Sequence, residues 1–221
     1  MNSFILKIIA CISMFIDHLR YAIPGRPLIM TYIGRLAFPI FAFQSAQGYV
    51  YSKNLKKYLL RILIFAIISQ IPYHFYFNTT NPNVLFTLFL GLICIHFWEL
   101  FKGYKKLIAV PIIAIIMYLS EFFHTDYSYY GIGIMLIFHI FRDKKIFMTF
   151  GFIIATTIFF NIEFNLFNLQ PIVVKLFICT LLGIVPCLLY NGKQGPKAKY
   201  LFYFFYPVHL IVLLLLSLTT L

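Results

Sequence analysis

The sequence predicts an all-α polytopic membrane protein of about nine transmembrane helices, with its N-terminus cytoplasmic and its C-terminus outside. Three observations lead there. Of 221 residues, 62% are hydrophobic and only 11% are charged, whereas a soluble domain carries about 25% charged residues. So few charges cannot coat a globular surface, and most of this surface must face lipid. The apolar residues also fall into runs close to the ~20 residues that a membrane span requires. Finally, the basic residues collect between alternate runs, as the positive-inside rule demands.

Nine runs follow one another: Phe4–Ile23, Leu28–Tyr51, Tyr58–Phe77, Asn83–Phe101, Leu107–Phe123, Tyr127–Phe141, Ile146–Phe164, Pro171–Tyr190 and Tyr200–Leu221. The first carries Lys7 and ends on Asp17-His18-Leu19-Arg20 without a small-residue cleavage site. It is therefore expected to be a span, not a cleaved leader. The second holds Arg35 and Pro39, and the third Pro72. The fifth holds Pro111, the eighth Pro186, and the last Pro207 with His209 near mid-span. The sixth is the shortest. Each internal proline removes a backbone donor and frees a carbonyl, which lipid tolerates only where protein or a wet cavity satisfies it.

The connections set the orientation. Lys53, Lys56, Lys57 and Arg61, then Lys102, Lys105 and Lys106, then Arg142, Lys144 and Lys145, then Lys193, Lys197 and Lys199 occupy the even-numbered ones. That is 13 of 18 basic residues on one side, which places that side in the cytoplasm. No soluble domain fits between the runs, so residues 1–221 read as a single integral-membrane domain. No internal repeat is evident, which argues against a transporter built from duplicated halves. The net charge of +12 would suggest nucleic acid in a soluble protein. Here topology accounts for it, and no nucleic-acid partner is expected. Cys11, Cys94, Cys179 and Cys187 all lie in apolar runs without metal-ligand spacing, so buried thiols and no bound metal are expected.

Titratable groups gather at the outer side: Asp17, Glu121, Asp126 and Glu163, with His18, His74, His124, Arg20, Arg26 and Arg35. Asp126 or Glu163 taken singly reads as a hydrated loop residue. Arg35 lies several residues inside its run, and a charge at that depth needs a partner and usually a function. Asp17 is the partner expected for it. Lys7 and His18 are eleven positions apart, so they share one helical face, separated by ~16 Å along the axis. Asp17 points ~100° away from His18. It would orient His18 only across another span, or pair with Arg20 at i+3.

The same residues, read in order, resemble the TraX family of conjugation-associated membrane acetylases, linked to acetylation of the F-type pilin amino terminus. The resemblance rests on Leu6-Lys7-Ile8-Ile9-Ala10 with Asp17-His18, on Ile33-Gly34-Arg35-Leu36-Ala37-Phe38-Pro39-Ile40-Phe41, and on Ser69-Gln70-Ile71-Pro72. It continues through Asn83-Val84-Leu85-Phe86-Thr87-Leu88, Tyr130-Gly131, Tyr190-Asn191-Gly192 with Gly195 and Lys199, and Phe205-Tyr206-Pro207-Val208-His209-Leu210. The Lys7-x10-His18 spacing is also similar to the Arg/Lys-x10-His signature of acyltransferase-3 type membrane acyltransferases.

This resemblance implies a membrane-embedded acetyltransferase of the bacterial cytoplasmic (inner) membrane. It would use acetyl-CoA as donor, with a pilin-like or secreted peptide terminus, or an envelope glycan, as acceptor. His18, Asp17, Arg35 and His209 are the catalytic candidates. His18 ranks first as general base, and Arg35 is the candidate oxyanion donor. Lys7 and Lys199 are the candidates for donor binding. Two other classes stay open: a small-anion transporter with the same outer His/Arg cluster as its substrate site, and a non-catalytic membrane assembly subunit. Acetyl turnover by purified protein separates the first class from both.

Overall fold

A computed structural model describes residues 1–219, with side chains for all of these except Lys199 and Thr219. Eleven α-helices and three short 3-10 turns make up its regular structure, and no strand occurs among the described residues. The helices are α1 (Ser3–Leu19), α2 (Leu28–Gly34), α3 (Ala37–Tyr51), α4 (Leu55–Phe77), α5 (Val84–Leu100) and α6 (Lys106–Phe122). They continue as α7 (Ser128–Ile140), α8 (Lys145–Phe164), α9 (Pro171–Leu182), α10 (Ile184–Leu188) and α11 (Lys199–Thr219). Asparagine starts three of them. The side chain of Asn2 accepts from the Ile5 amide at 2.9 Å, Asn54 from Lys57 at 2.9 Å and Asn83 from Leu85 at 3.0 Å, each satisfying an amide that a helix start leaves orphaned.

The pairs α2–α3 and α9–α10 each occupy one apolar run, so the helices fall on the runs read from the sequence. Five stretches are long and apolar enough to cross a membrane: Leu28–Tyr51, Leu55–Phe77, Lys145–Phe164, Pro171–Leu188 and Tyr200–Leu218. Val84–Leu100 and Ser128–Ile140 are shorter apolar helices. Large apolar side chains such as Ile71, Phe75, Phe150 and Ile162 point outward, the arrangement of a membrane protein whose solvent is hydrocarbon.

Two helices are broken for a definable reason. Pro39 is the third residue of α3, and its ring nitrogen cannot return a hydrogen bond to the carbonyl four residues back, that of Arg35. The helix parts there, leaving Arg35 at the end of α2. In the same way Pro186 withholds a bond from Leu182, and α9 gives way to α10 at Gly183. The two breaks pack on each other. A Cβ placed on Gly183 would lie 2.8 Å from Cγ and 3.0 Å from Cβ of Pro39. Glycine is what lets the two interrupted helices approach this closely.

The chain start is strapped to the α10–α11 connection. The Met1 ammonium donates to the Leu189 carbonyl at 2.5 Å, and the Ser3 amide to Lys193 at 2.8 Å. In return the Asn191 amide donates to Met1 at 2.9 Å. This fixes the Lys7 end of α1 beside the start of α11. The main core lies between α1, α3, α5 and α7, where Leu6, Ile40, Leu92 and Phe138 are fully buried.

The break-on-break contact makes a stability prediction. Gly183→Ala should destabilise by about 1–3 kcal/mol, because a rigid pyrrolidine ring cannot swing aside. Gly133→Ala meets only the end of Met117, at 3.5 Å, and should be neutral or mildly stabilising. Thermal unfolding in detergent micelles reads both, and equal midpoints would remove this contact as a constraint.

Candidate functional site

At the end of α1 away from Lys7, a cavity of about 340 Å³ opens between α1, the α2–α3 break, α4 and the α6–α7 connection. Asp17, His18, Arg35, Asp126 and Tyr127 line it, together with Tyr73 and Tyr206. Three of the four catalytic candidates therefore meet in one space, and the fourth touches it from behind. His18 Nδ1 and His209 Nε2 are 2.8 Å apart. Their rings lie within 19° of one plane with centroids 5.0 Å apart, the spacing of an in-plane N–H···N bond rather than a face stack.

The partners of this pair fix its tautomers. His209 Nδ1 is 2.8 Å from the Phe205 carbonyl, one turn back on α11. A carbonyl only accepts, so His209 Nδ1 carries the proton and its Nε2 is a lone pair when neutral. His18 Nδ1 must then donate to it, which leaves His18 Nε2 as the free basic nitrogen. The chain runs from carbonyl to imidazole to imidazole without a formal charge. Phe77 packs edge-on to the His18 ring at 5.0 Å, and the Tyr76 hydroxyl donates to the His18 carbonyl at 2.7 Å. His209 is buried, and His18 is half-buried.

Arg35 hangs from the helix break into the same cavity. Its Nη1 reaches the Tyr127 hydroxyl at 3.5 Å, and its Nε is buried without a partner. The expected ion pair with Asp17 is not formed: among the described residues the salt bridges are His139–Glu99 and Arg142–Asp143. Both groups line the cavity, and Asp17 faces the Thr31 hydroxyl instead. Nor does Asp17 pair with Arg20, which donates to Thr31 Oγ1 and to the Arg26 carbonyl, each at 3.0 Å. Gly34 makes room for Asp17, since a Cβ there would overlap its side chain. An under-bonded guanidinium facing a cavity can accept a carbonyl oxygen or an anion.

Asp126 and Tyr127 are site residues that sequence reasoning passed over. The connection holding them is pinned to α5 and its approach: the Asp126 amide donates to Pro82 at 3.1 Å, and the Thr87 hydroxyl donates to the Asp126 carbonyl. Tyr127 has φ 61°, a conformation that non-glycine residues seldom hold and that marks positions fixed by their surroundings. Its ring stacks on Phe38 at 3.7 Å. The other outer-side groups do not join the cavity. Glu121 accepts from Ser128, Glu163 from Tyr129 at 3.3 Å, and His74 Nδ1 lies 2.7 Å from the Thr79 carbonyl.

The two donor-binding candidates lie at the other end. Lys7 sits over the Phe202 ring at 5.4 Å, beside a cavity bordered by residues 194–198 and 200–202. The Lys199 side chain lies outside the described residues. No group of three or more His, Cys, Asp or Glu side chains that could hold a metal occurs among the described residues.

A family model described as "TraX protein" matches residues 3–217. The chain is 28% identical over 236 aligned residues to "Probable fimbrial assembly protein FimC, serogroup H1" of Dichelobacter nodosus, an alignment covering 96% of this chain and 94% of that protein. It is 30% identical over 148 residues to an uncharacterized protein of Rickettsia prowazekii (strain Madrid E), covering 64% of this chain and 56% of that one. No solved structure matches.

The cavity predicts a pH dependence. Burial pushes the Asp126 carboxyl up to about 6, with the Arg35 guanidinium opposing the shift. The unfolded value is ~3.9, so the native state holds the proton more tightly. The stability this contributes is fully present below pH ~4 and is lost as pH rises through about 6. Asp126→Asn keeps the backbone contacts and cannot ionise. Melting of this variant should be flatter between pH ~4 and ~7 than that of the parent. An unchanged profile would place the titration elsewhere.

Proposed function

The chain belongs to the TraX family, and we propose that it is a membrane-embedded acyltransferase. It moves acetyl from acetyl-CoA, bound on the side of the Lys-rich connections, to an amine or hydroxyl presented at the opposite face. The observation that carries this reading is the hydrogen-bonded His18–His209 pair, with His18 lining the same cavity as the unsaturated Arg35 side chain.

The chemistry is a direct displacement. His18 Nε2 takes the proton from the acceptor N–H or O–H as the acceptor's lone pair attacks the thioester carbonyl. Arg35 donates to the oxygen as negative charge collects on it. The carbon–sulfur bond then breaks, and the thiolate leaves and recovers the proton from the imidazolium. His209 is a positioning residue. It holds the His18 proton on Nδ1 and shares the charge when His18 is protonated. Asp17 and Asp126 supply negative potential beside that developing cation.

The acceptor proposed first is the amino terminus of a pilin-like or secreted peptide, supported by the family and by the fimbrial-assembly name of the Dichelobacter relative. An envelope glycan hydroxyl is the second candidate. The whole chain then acts as one domain of the bacterial inner membrane, crossing nine times with its N-terminus in the cytoplasm. The relative's name also supports one other reading, a membrane assembly subunit without turnover.

Detergent-purified protein with labelled acetyl-CoA and a pilin-like peptide or an envelope extract tests the chemistry. His18→Ala should cut turnover ~100-fold or more, and His18→Gln nearly as much, since neither carries a basic nitrogen. His209→Gln should retain more activity than His209→Ala, because its amide oxygen still accepts from His18 Nδ1. Arg35→Ala should abolish turnover without preventing insertion. Full activity in both histidine variants would leave no imidazole base, and no acetyl turnover by the parent would favour the assembly reading.

Orientation is tested separately. Reporters fused after Lys57, Lys106, Lys145 and Lys197 should report cytoplasm, and one after Leu221 the outside. A cytoplasmic C-terminus would overturn the nine-span count.

A further inference from the structure

On the side of the Lys-rich connections lies a polar cavity that neither His18 nor Lys7 borders. It measures about 260 Å³ and sits between the second half of α3, the start of α8 and the end of α10. Phe43, Gln47, Val50 and Tyr51 form its α3 wall. They stand at i, i+4, i+7 and i+8, which is one helix face. Arg142 and Lys145 border it from the α7–α8 connection and the first residue of α8, and Cys187 and Tyr190 from α10 and the residues after it.

Its polar groups are short of partners. Gln47 is 9% exposed, and its side-chain amide has no hydrogen bond among the described residues, yet neither of its polar atoms is sealed off. Lys145 donates to the Leu188 carbonyl at 2.8 Å, which leaves two of the three ammonium donors unused. The Arg142 guanidinium makes only long contacts, 3.4 Å to the His139 carbonyl and 3.5 Å to Asp143. Asp143 also borders the cavity, but its side chain is 87% exposed, so water solvates its charge. Here α8 begins without a side-chain cap, and its positive end adds to the two cations. Two cations, an uncapped helix start and an idle amide are a donor set for the oxygens of one phosphate group.

We infer that this cavity holds the phosphate of an anionic phospholipid, bonded by Arg142, Lys145 and Gln47, with an acyl chain lying along the outer face of α8. The setting favours a lipid over a free phosphate ion. The cavity stands at the ends of membrane runs, and its surroundings are apolar and open: Val50, Phe147 and Leu189 are all exposed. From Phe147 the exposed residues Phe150 and Ile154 continue along α8 at i+3 and i+7, a stripe that suits a hydrocarbon chain. Basic pockets between transmembrane helices on the cytoplasmic side bind anionic headgroups. The inference is independent of the acyltransferase reading. A headgroup bound here ties α3 to α8 beside α10. Because α3 and α10 are the segments that follow the two helix breaks, the lipid braces the runs whose own backbone continuity is interrupted.

Thermal unfolding of the full-length protein in neutral detergent tests this. Phosphatidylglycerol added to the micelles should raise the parent midpoint by about 5 °C near saturation. Phosphatidylcholine with the same acyl chains should raise it far less, because its own cation already faces its phosphate. Arg142→Gln with Lys145→Gln should remove the phosphatidylglycerol increment, whatever the starting midpoint. Lys53→Gln with Lys56→Gln, exposed on the same side, should keep it. Gln47→Glu is the sharper variant. It sets a carboxylate opposite the two cations, so it should raise the midpoint without lipid and abolish the increment. An equal response to the two lipids, or equal loss in both double variants, would reduce the effect to micelle composition or surface charge and overturn the site. If inorganic phosphate or coenzyme A at millimolar concentration reproduces the shift and cancels that of the lipid, the occupant is a soluble phosphate and the lipid is overturned. An unchanged increment in Gln47→Glu would place the lipid elsewhere.

Discussion

A missing hydrogen bond organises this molecule. Pro39 cannot bond the Arg35 carbonyl, so the second apolar run cannot continue as one rod. The break places the Arg35 guanidinium at a helix end, where it reaches the cavity instead of lying flat along a continuous helix. It also presents the proline ring as a flat surface, against which Gly183 packs at the matching break between α9 and α10. A hydrophobic helix bundle would otherwise close over this region. Two interruptions facing each other keep part of the backbone irregular inside the bundle, and irregular backbone at that depth is tolerated where it is buried in protein or borders a polar space.

Much of this was legible in the sequence. The helical class, the membrane setting and the positions of the runs followed from apolar length alone. Lys7 and His18 border cavities at opposite ends of α1, as their spacing requires. Of the five internal prolines, Pro39 and Pro186 stand at broken runs, whereas Pro72, Pro111 and Pro207 lie inside continuous helices. What the sequence withheld was which distant elements meet. Nothing local to His18 says that its ring nitrogen faces a histidine 191 positions later. Asp17 was assigned to Arg35 because a charge at that depth needs a partner and Asp17 falls on the same outer side. The fold instead sets them on two walls of one cavity and gives Asp17 the Thr31 hydroxyl. Asp126 read as a hydrated loop acid because its burial depends on a connection held by Pro82 and Thr87, long-range contacts without a sequence signature. Tyr127 was invisible for the same reason: its role comes from a left-handed backbone and a stack on Phe38.

The polar inventory is small and unevenly satisfied. Asn83 shows the satisfied kind. Its Nδ2 donates to the Ala66 carbonyl at 2.9 Å and to Gln70 Oε1 at 2.8 Å, tying α5 to α4. Such pairs act as interhelical glue. Arg35 and Gln44 are of the other kind, with buried donors left over. Arg35 also lines the His18 cavity, while the unpaired atom of each is enclosed by packed neighbours.

The choice of a second imidazole to orient the first also follows from the solvent. In water-exposed enzymes a carboxylate commonly holds a histidine in register. Here that carboxylate would need to be buried beside His209, in α11, and an ionised group without full pairing is expensive to bury. A chain of Phe205 carbonyl, His209 and His18 fixes the same tautomer with neutral groups only. The cost falls due when His18 takes a proton. The charge is then shared with a neighbour that can accept the Nδ1 proton in turn, and two carboxyl groups, Asp17 and Asp126, stand on the cavity wall to offset it. The negative groups thus lie where the cation would form rather than in the resting hydrogen-bond chain. Removing Asp17 should therefore affect protonation of the pair more than its geometry.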